Sequence, residues 1–132
     1  MFNPKPNRNS DDRPPVAIGH VSLQVSNVDT STNYFVKLGL RSIHESENFS
    51  VLELRGGTHL VIRPAEEKCT LGTKAPFDLM VDDIEVVQKQ YSDAGMEPSA
   101  IEEGKIHKWF TMIDPSGYEI TVTSAHAGGR AV

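Results

Sequence analysis

The sequence has little cysteine, few aromatic residues and no long run of apolar residues. The single Cys69 excludes a disulfide within the chain and is typical of a protein in a reducing cytoplasm. The apolar runs are too short to span a membrane, and no charged start followed by an apolar core marks a secretion signal. With 13 Lys and Arg against 18 Asp and Glu, a net charge of −5 offers no basic surface for nucleic acid. The sequence therefore favours a cytoplasmic protein that binds neither membranes nor nucleic acid.

The two ends of the chain differ in composition from its centre. Residues 1–15 hold four prolines and almost no apolar side chains, so they cannot bury enough surface to offset the entropy lost on ordering. Residues 126–132 include the Gly128-Gly129 pair, which is typical of a fraying end. We expect a disordered tail over 1–15, one domain over 16–125, and a flexible C-terminus over 126–132.

The central part of the chain repeats one pattern. Each copy shows an alternating strand, a helix with an apolar stripe, and three further strands. Three landmarks recur at a spacing of 56 residues: Val25 with Val81, Val28 with Ile84, and Gly39 with Gly95. The sequence predicts an α+β fold of two tandem βαβββ modules, residues 16–64 and 74–124. Their strands should form a cup-shaped mixed sheet, with one main helix per module packed on the outside.

Capping and turn residues place the boundaries within each module. Asp29-Thr30-Ser31 and Asp82-Asp83 supply N-cap chemistry for the two helices. Gly56-Gly57 and the Asp114–Gly117 segment have the composition of hairpin turns. The predicted strands are 18–25, 40–45, 50–55 and 58–63, followed by 77–81, 97–102, 107–113 and 118–123.

Each predicted strand has one apolar face and one mixed face. The apolar faces must pack on the two helices, which are the only covers available. A solvated sheet face would show mostly Lys, Glu and Thr, whereas the mixed faces carry a richer chemistry. We interpret this surface as a concave, polar-lined pocket with one aromatic wall. Its notable members are His20, His59, His107, Trp109, Arg55, Arg63, Glu53, Asp78 and Glu119.

The two modules, a histidine before VSLQV and a DPSGYE turn into the last strand resemble the vicinal oxygen chelate superfamily. This group includes glyoxalase I, bleomycin and fosfomycin resistance proteins, and extradiol dioxygenases, and the resemblance covers 16–124. It implies a divalent ion held by the first and fourth strands of each module, acting as a Lewis acid on substrate oxygens. His20 and His59 match two ligand positions. Pro76 and Thr121 occupy the other two, and Glu119 lies two residues before Thr121.

The resemblance leaves three functions open. In the first, a metal-dependent lyase, isomerase or dioxygenase uses His20, His59 and a carboxylate to hold Zn, Ni, Mn or Fe. Glu119 is the candidate ligand or catalytic base, and Asp78 is the alternative third ligand. In the second, favoured by Pro76 and Thr121, the cup captures an acidic or aromatic compound without metal. In the third, the cup packs on a protein partner. The resemblance also implies a homodimer.

Six further residues are predicted to contact the small molecule: Gln24, Arg63, Asp78, His107, Trp109 and Thr121. An arginine there suits a carboxylate or phosphate, but Arg55 or Arg63 paired with Glu53 is the structural alternative. Trp109 either stacks on a planar ligand or fills the floor of the cup. We expect His107 to bind the ligand, and His44 and His126 to lie at the surface.

Overall fold

The computed structural model describes residues 12–125 of the chain. Most of the predicted N-terminal tail, the segment 126–132 and His126 lie outside the described residues. The elements in chain order are β1 (His20–Val25), α1 (Val28–Leu38), β2 (Arg41–Glu45), β3 (Ser50–Glu53), β4 (His59–Pro64), β5 (Thr73–Val81), α2 (Ile84–Asp93), β6 (Glu102–Glu103), β7 (Lys108–Ile113) and β8 (Tyr118–Ser124). The predicted α+β architecture of two βαβββ modules is confirmed.

Each module forms a four-stranded mixed sheet with the same topology. The strand orders are β1-β4-β3-β2 and β5-β8-β7-β6. The first strand of each module runs parallel to the last strand, and the remaining pairs are antiparallel. The first strands of the two modules, β1 and β5, lie next to each other, and we call this boundary the seam.

The helices begin and end at residues that satisfy their terminal backbone groups. The Asn27 side chain accepts a hydrogen bond from the Thr30 N–H at 2.9 Å, so the N-cap of α1 lies two residues before the predicted Asp29. For α2 the predicted Asp83 is the cap, and it accepts from the Val86 N–H at 3.2 Å. Gly39 ends α1 with a φ of +125°, a conformation that a side chain would oppose.

One apolar core joins the two modules on the helix side of the sheets. Helix α1 packs on β3 and β4, and α2 packs on β7 and β8. The Phe35 ring of α1 is fully buried, and its centroid lies 6.5 Å from that of Phe77 on β5. The predicted apolar faces are therefore buried or half-buried, and the mixed faces lie opposite them. The strand side chains with no exposed surface are Leu52, Leu60, Ile62, Phe110, Ile120 and Val122.

Hydrogen bonds between the modules connect them at three points. The Tyr91 hydroxyl donates to the Leu38 carbonyl at 2.6 Å, and the Tyr118 hydroxyl donates to the Gln24 carbonyl at 2.7 Å. The Ser26 N–H also donates to the Ser116 hydroxyl in the β7–β8 turn, at 3.1 Å. These contacts set the position of one sheet relative to the other.

Two predicted elements differ from the observed ones. Residues 97–102 were expected as a strand, but only Glu102–Glu103 pair with β7, because Ser99 bonds the edge of β7 through its side chain and backbone instead. Arg55 was expected on a strand, but it begins a short 3₁₀ turn that continues through the positive-φ glycines Gly56 and Gly57. No helix within residues 12–125 is long and apolar enough to cross a membrane.

Candidate functional site

Four polar side chains form a row across the first sheet, and this row is the centre of the candidate site. His20 and His59 are direct Cα partners on the parallel strands β1 and β4, and their ring centroids lie 5.9 Å apart. His59 is opposite Glu53 on β3, which is opposite Arg41 on β2. Because cross-strand partners share a face, the four side chains project on the side away from the helices.

The row also forms a charge network. Arg41 donates to one oxygen of Glu53, and the other oxygen lies 3.7 Å from Nε2 of His59. The hydrogen bond from Arg41 is the main cause that holds the pKa of Glu53 below its usual range, and the charges of Arg41 and His59 add to this effect. Glu53 is therefore stabilised as an anion beside the His59 ring.

Two more rows continue this face toward the C-terminal end of β4. The second row contains Ser22, Val61, Val51 and His44, in register across β1, β4, β3 and β2. The third contains Gln24 and Arg63, with the Phe49 ring 5.6 Å below the Arg63 guanidinium. His44 is exposed as predicted, but its ring stacks on Phe49 at a centroid distance of 4.9 Å. Along β4, the side chains of this face are therefore polar in the first row, apolar at the centre of the second row, and cationic at Arg63 in the third.

The second sheet presents a different surface. Asp78, Thr121 and Thr111 form one row, and Met80, Thr123 and Trp109 form the next. Asp78 is exposed, whereas Thr121 is only 8% exposed, so its hydroxyl has little access to a ligand within one chain. The three threonines of this surface are Thr111, Thr121 and Thr123.

Pro76 lies in an irregularity of β5. Lys74 pairs with Glu119, and Asp78 pairs with Thr121. The chain of β5 therefore spans four positions where its partner β8 spans only two. Such a bulge accommodates proline, which has no N–H to donate to the ladder. Pro76 has no side-chain donor atom, so it cannot supply a metal ligand.

Glu119 lies in the second sheet, whereas the two histidines lie in the first. Its Cα partners are Lys74 on β5 and Ile113 on β7. Across residues 12–125, no group of three or more His, Cys, Asp or Glu side chains is arranged to hold a metal ion.

His107 and Trp109 lie near the other end of the second sheet. His107 precedes β7, is half-buried, and its ring centroid is 6.3 Å from that of Trp109. A Cβ added at Gly104 would approach Cζ3 of Trp109 to 2.8 Å, so the indole packs against this glycine. Trp109 thus has a packing role whether or not it also stacks on a ligand.

Two cavities open beside this sheet system. One of about 470 Å³ lies at the start of α2 and includes His107, Lys105 and Asp83 in its lining. The other, about 600 Å³, lies along the seam and is lined largely by apolar side chains such as Val21, Leu54 and Phe77, together with Asp78. Neither cavity includes the histidine row.

Sequence reasoning missed two residues of the site and misassigned one. Arg41 was not included in the mixed face, because the β2–β3 register shifts between Ser42 and His44 and the alternation alone does not show this. Phe49 lies outside the strands and carried no periodic signal. Arg55 was grouped with the cup, but it pairs with Asp82 at 3.1 Å in the 3₁₀ turn, so the arginine that binds Glu53 is Arg41.

Comparison with solved structures supports the fold. A lactoylglutathione lyase from Agrobacterium tumefaciens superposes with a TM-score of 0.72 at 14% identity, covering 89% of this chain and 99% of that one. A glyoxalase/bleomycin resistance protein/dioxygenase from Alicyclobacillus acidocaldarius gives 0.66 at 20% identity, covering 85% and 93%. The oxidase ChaP-H2 gives 0.66 at 16% identity, covering 84% and 94%. No family model and no curated protein sequence matches the chain.

These likenesses establish the fold. The fold implied by the resemblance to the vicinal oxygen chelate superfamily is confirmed. At identities of 14–20% the chemistry of these proteins does not transfer residue by residue.

Proposed function

We propose that this chain binds a small organic molecule on the polar face of its sheets, and that His20 and His59 hold a divalent metal ion there. The chain would then act as a metal-dependent lyase, isomerase or dioxygenase. The observation that carries the proposal is the His20–His59 pair, which lies in direct register on adjacent parallel strands. We propose the cytoplasm as its location, in keeping with the single Cys69.

The donor chemistry of the pair suits a borderline metal ion. Imidazole nitrogens are common ligands of Zn, Ni, Mn and Fe, and a hydrogen-bonded carboxylate beside a ligating histidine raises its basicity. Glu53 occupies this orienting position next to His59. The bound ion would supply Lewis acidity toward oxygen atoms of the substrate. His20 and His59 would hold the ion, and Glu53 would fix the ring orientation of His59.

Two imidazoles alone bind a divalent ion weakly, and the described residues of one chain provide no third ligand near them. We propose that the protein is a homodimer in which Glu119 of a second copy approaches the pair. Glu119 is half-buried, and it faces Lys74 across the β5–β8 ladder. In this arrangement Glu119 is also the candidate catalytic base.

Calorimetric titration with Ni(II), Mn(II) and Zn(II) tests the metal site. Wild-type protein should bind one ion per chain, His59→Ala should bind none, and Glu119→Ala should bind more weakly. Glu102→Ala is the matched control, because Glu102 is an exposed carboxylate on the two-residue edge strand β6. Binding should weaken in acid, since protonated imidazoles cannot ligate. Equal binding by His59→Ala and wild type would refute the metal assignment.

A mixing experiment tests the shared site. If the two histidines and Glu119 come from different chains, a mixed dimer of His59→Ala and Glu119→Ala contains one intact site and one doubly altered site. Refolding the two variants together should therefore restore about half of the wild-type metal uptake among mixed dimers. No restoration, in a sample shown to contain mixed dimers, would place all ligands in one chain.

The second candidate is a metal-free binding protein, similar to resistance proteins that sequester a drug. Pro76 and Thr121 favour it, because neither side chain replaces a histidine or carboxylate at the positions that the fold assigns to ligands. In this case the polar face captures an acidic or aromatic compound through residues such as Arg63. Absence of metal binding by the wild-type protein would select this candidate.

A further inference from the structure

Arg63 stands in the third row of the first sheet, at the far end from the histidine pair. It lies four positions after His59 on β4, about 13 Å away at the usual strand rise. Between them lies the second row, whose central members Val51 and Val61 are apolar and half-buried. The face therefore offers an apolar shelf with the histidine pair at one end and a guanidinium at the other.

The charge of Arg63 is not compensated by a carboxylate. Arg41 pairs with Glu53, and Arg55 pairs with Asp82 at 3.1 Å. Within the described part of the chain, Arg63 has no ion-pair partner, and its guanidinium contacts the Phe49 ring instead. An aromatic ring attracts a cation without neutralising it, so the N–H groups remain available to an anion.

The ring beneath Arg63 is held in place. The Phe49 N–H donates to the Ser46 hydroxyl at 3.3 Å, and the Phe49 carbonyl accepts from the Ser46 N–H at 3.0 Å. On the same ring, His44 stacks at 4.9 Å with an interplanar angle of 29°. The β2–β3 loop thus fixes Phe49, and Phe49 restricts the long Arg63 side chain. Less side-chain entropy is then lost when a ligand binds.

We propose that Arg63, supported by Phe49 and His44, is an anion subsite that recognises a carboxylate on the ligand. A planar guanidinium matches a carboxylate through two parallel N–H···O bonds. The ligand class is an elongated molecule with a carboxylate at one end, an apolar middle on Val51 and Val61, and an oxygen-bearing group near the histidines. This inference rests on the proposed binding function of the polar face, but not on the metal.

Two probes that differ only in charge test the subsite. 4-Phenylbutyrate and 4-phenylbutyramide share an apolar body, and their binding can be followed by chemical-shift titration of ¹⁵N-labelled protein. Wild type should prefer the carboxylate by roughly tenfold, the size expected for one charge-assisted interaction. Arg63→Gln should abolish this preference and leave amide binding unchanged. Phe49→Leu, which keeps the charge but removes the supporting ring, should reduce the preference several-fold.

Arg55→Gln is the matched control, because Arg55 is also an exposed arginine but lies in the 3₁₀ turn, paired with Asp82. It should keep the full preference, and raising the salt concentration should weaken only carboxylate binding. No preference in wild type, or an equal loss in Arg55→Gln and Arg63→Gln, would overturn the proposal. Thermal unfolding of each variant verifies that the protein is folded.

Metal uptake separates this inference from the proposed function. Arg63→Gln should bind Ni(II) as wild type does, and His59→Ala should keep the carboxylate preference. If wild type binds no metal but still prefers the carboxylate, the anion subsite stands and the metal-dependent function fails. If metal binds and the preference is absent, the anion subsite fails alone.

Discussion

Replacing Tyr91 by phenylalanine should destabilise the protein by about 1.5–2 kcal/mol. The Tyr91 side chain on α2 is 8% exposed, and its hydroxyl donates to the Leu38 carbonyl at the end of α1 at 2.6 Å. Removal of the hydroxyl loses a bond worth about 0.5–1.5 kcal/mol net and leaves a buried carbonyl without a partner, which costs about 1–3 kcal/mol when unrelieved. The phenyl ring itself is retained, so its edge-on contact with Phe110 is unchanged.

Urea and thermal unfolding, followed by circular dichroism, measure this effect. For a chain of this size we expect the melting temperature to fall by about 5 °C. Tyr118→Phe is the matched control, because Tyr118 also donates across the seam, to the Gln24 carbonyl, but this bond is exposed. Water can replace the lost partner there, so the cost should stay below about 0.5 kcal/mol. Equal effects of the two variants, or no effect of Tyr91→Phe, would refute the reasoning.

Three further variants test the core, a turn and a buried carboxyl. Phe35→Ala should cost about 3–5 kcal/mol in urea unfolding, because the fully buried ring leaves a cavity, whereas Val36→Ala, at 41% exposure, should be nearly neutral. Gly117→Ala should destabilise the protein by about 1–2 kcal/mol, because Gly117 has a φ of +99° and an added Cβ would approach the loop before β5 to 3.4 Å. Gly19→Ala is the control and should change stability little, because a Cβ added there meets no atom within 4 Å. Burial raises the pKa of Asp114 above its usual value of 3.8. The folded state therefore binds the carboxyl proton more tightly than the unfolded state does. The stability that this proton contributes is lost as the pH rises above 3.8. The stability of Asp114→Asn relative to wild type should therefore increase between pH 3.5 and pH 7, and a constant difference would contradict the assignment.

The alternation of side chains along the strands was readable from the sequence because it is a local property. Val21, Leu23 and Val25 share one face by the period of two, whatever the strand pairs with. The 56-residue spacing gave the duplication, and Gly39 gave a helix end, since each depends on nearby residues only. The histidines at 20 and 59 were placed on the correct face for the same reason.

Strand register and bulges were decided by the tertiary structure. The shift between Ser42 and His44 brings Arg41 opposite Glu53, and the irregularity around Pro76 sets Lys74 opposite Glu119. Such shifts depend on how two distant segments pack together, so no pattern within either segment reveals them.

The partners of charged side chains were likewise decided only in the folded chain. Four arginines lie between residues 12 and 125, and their spacing along the sequence does not say which carboxylate each approaches. Folding pairs Arg41 with Glu53 and Arg55 with Asp82, and it stacks Arg63 on Phe49. The sequence by itself determined which residue types lie on the sheet face away from the helices. The register of the strands decided which of them meet, because a displacement by one residue would move a side chain to the opposite face.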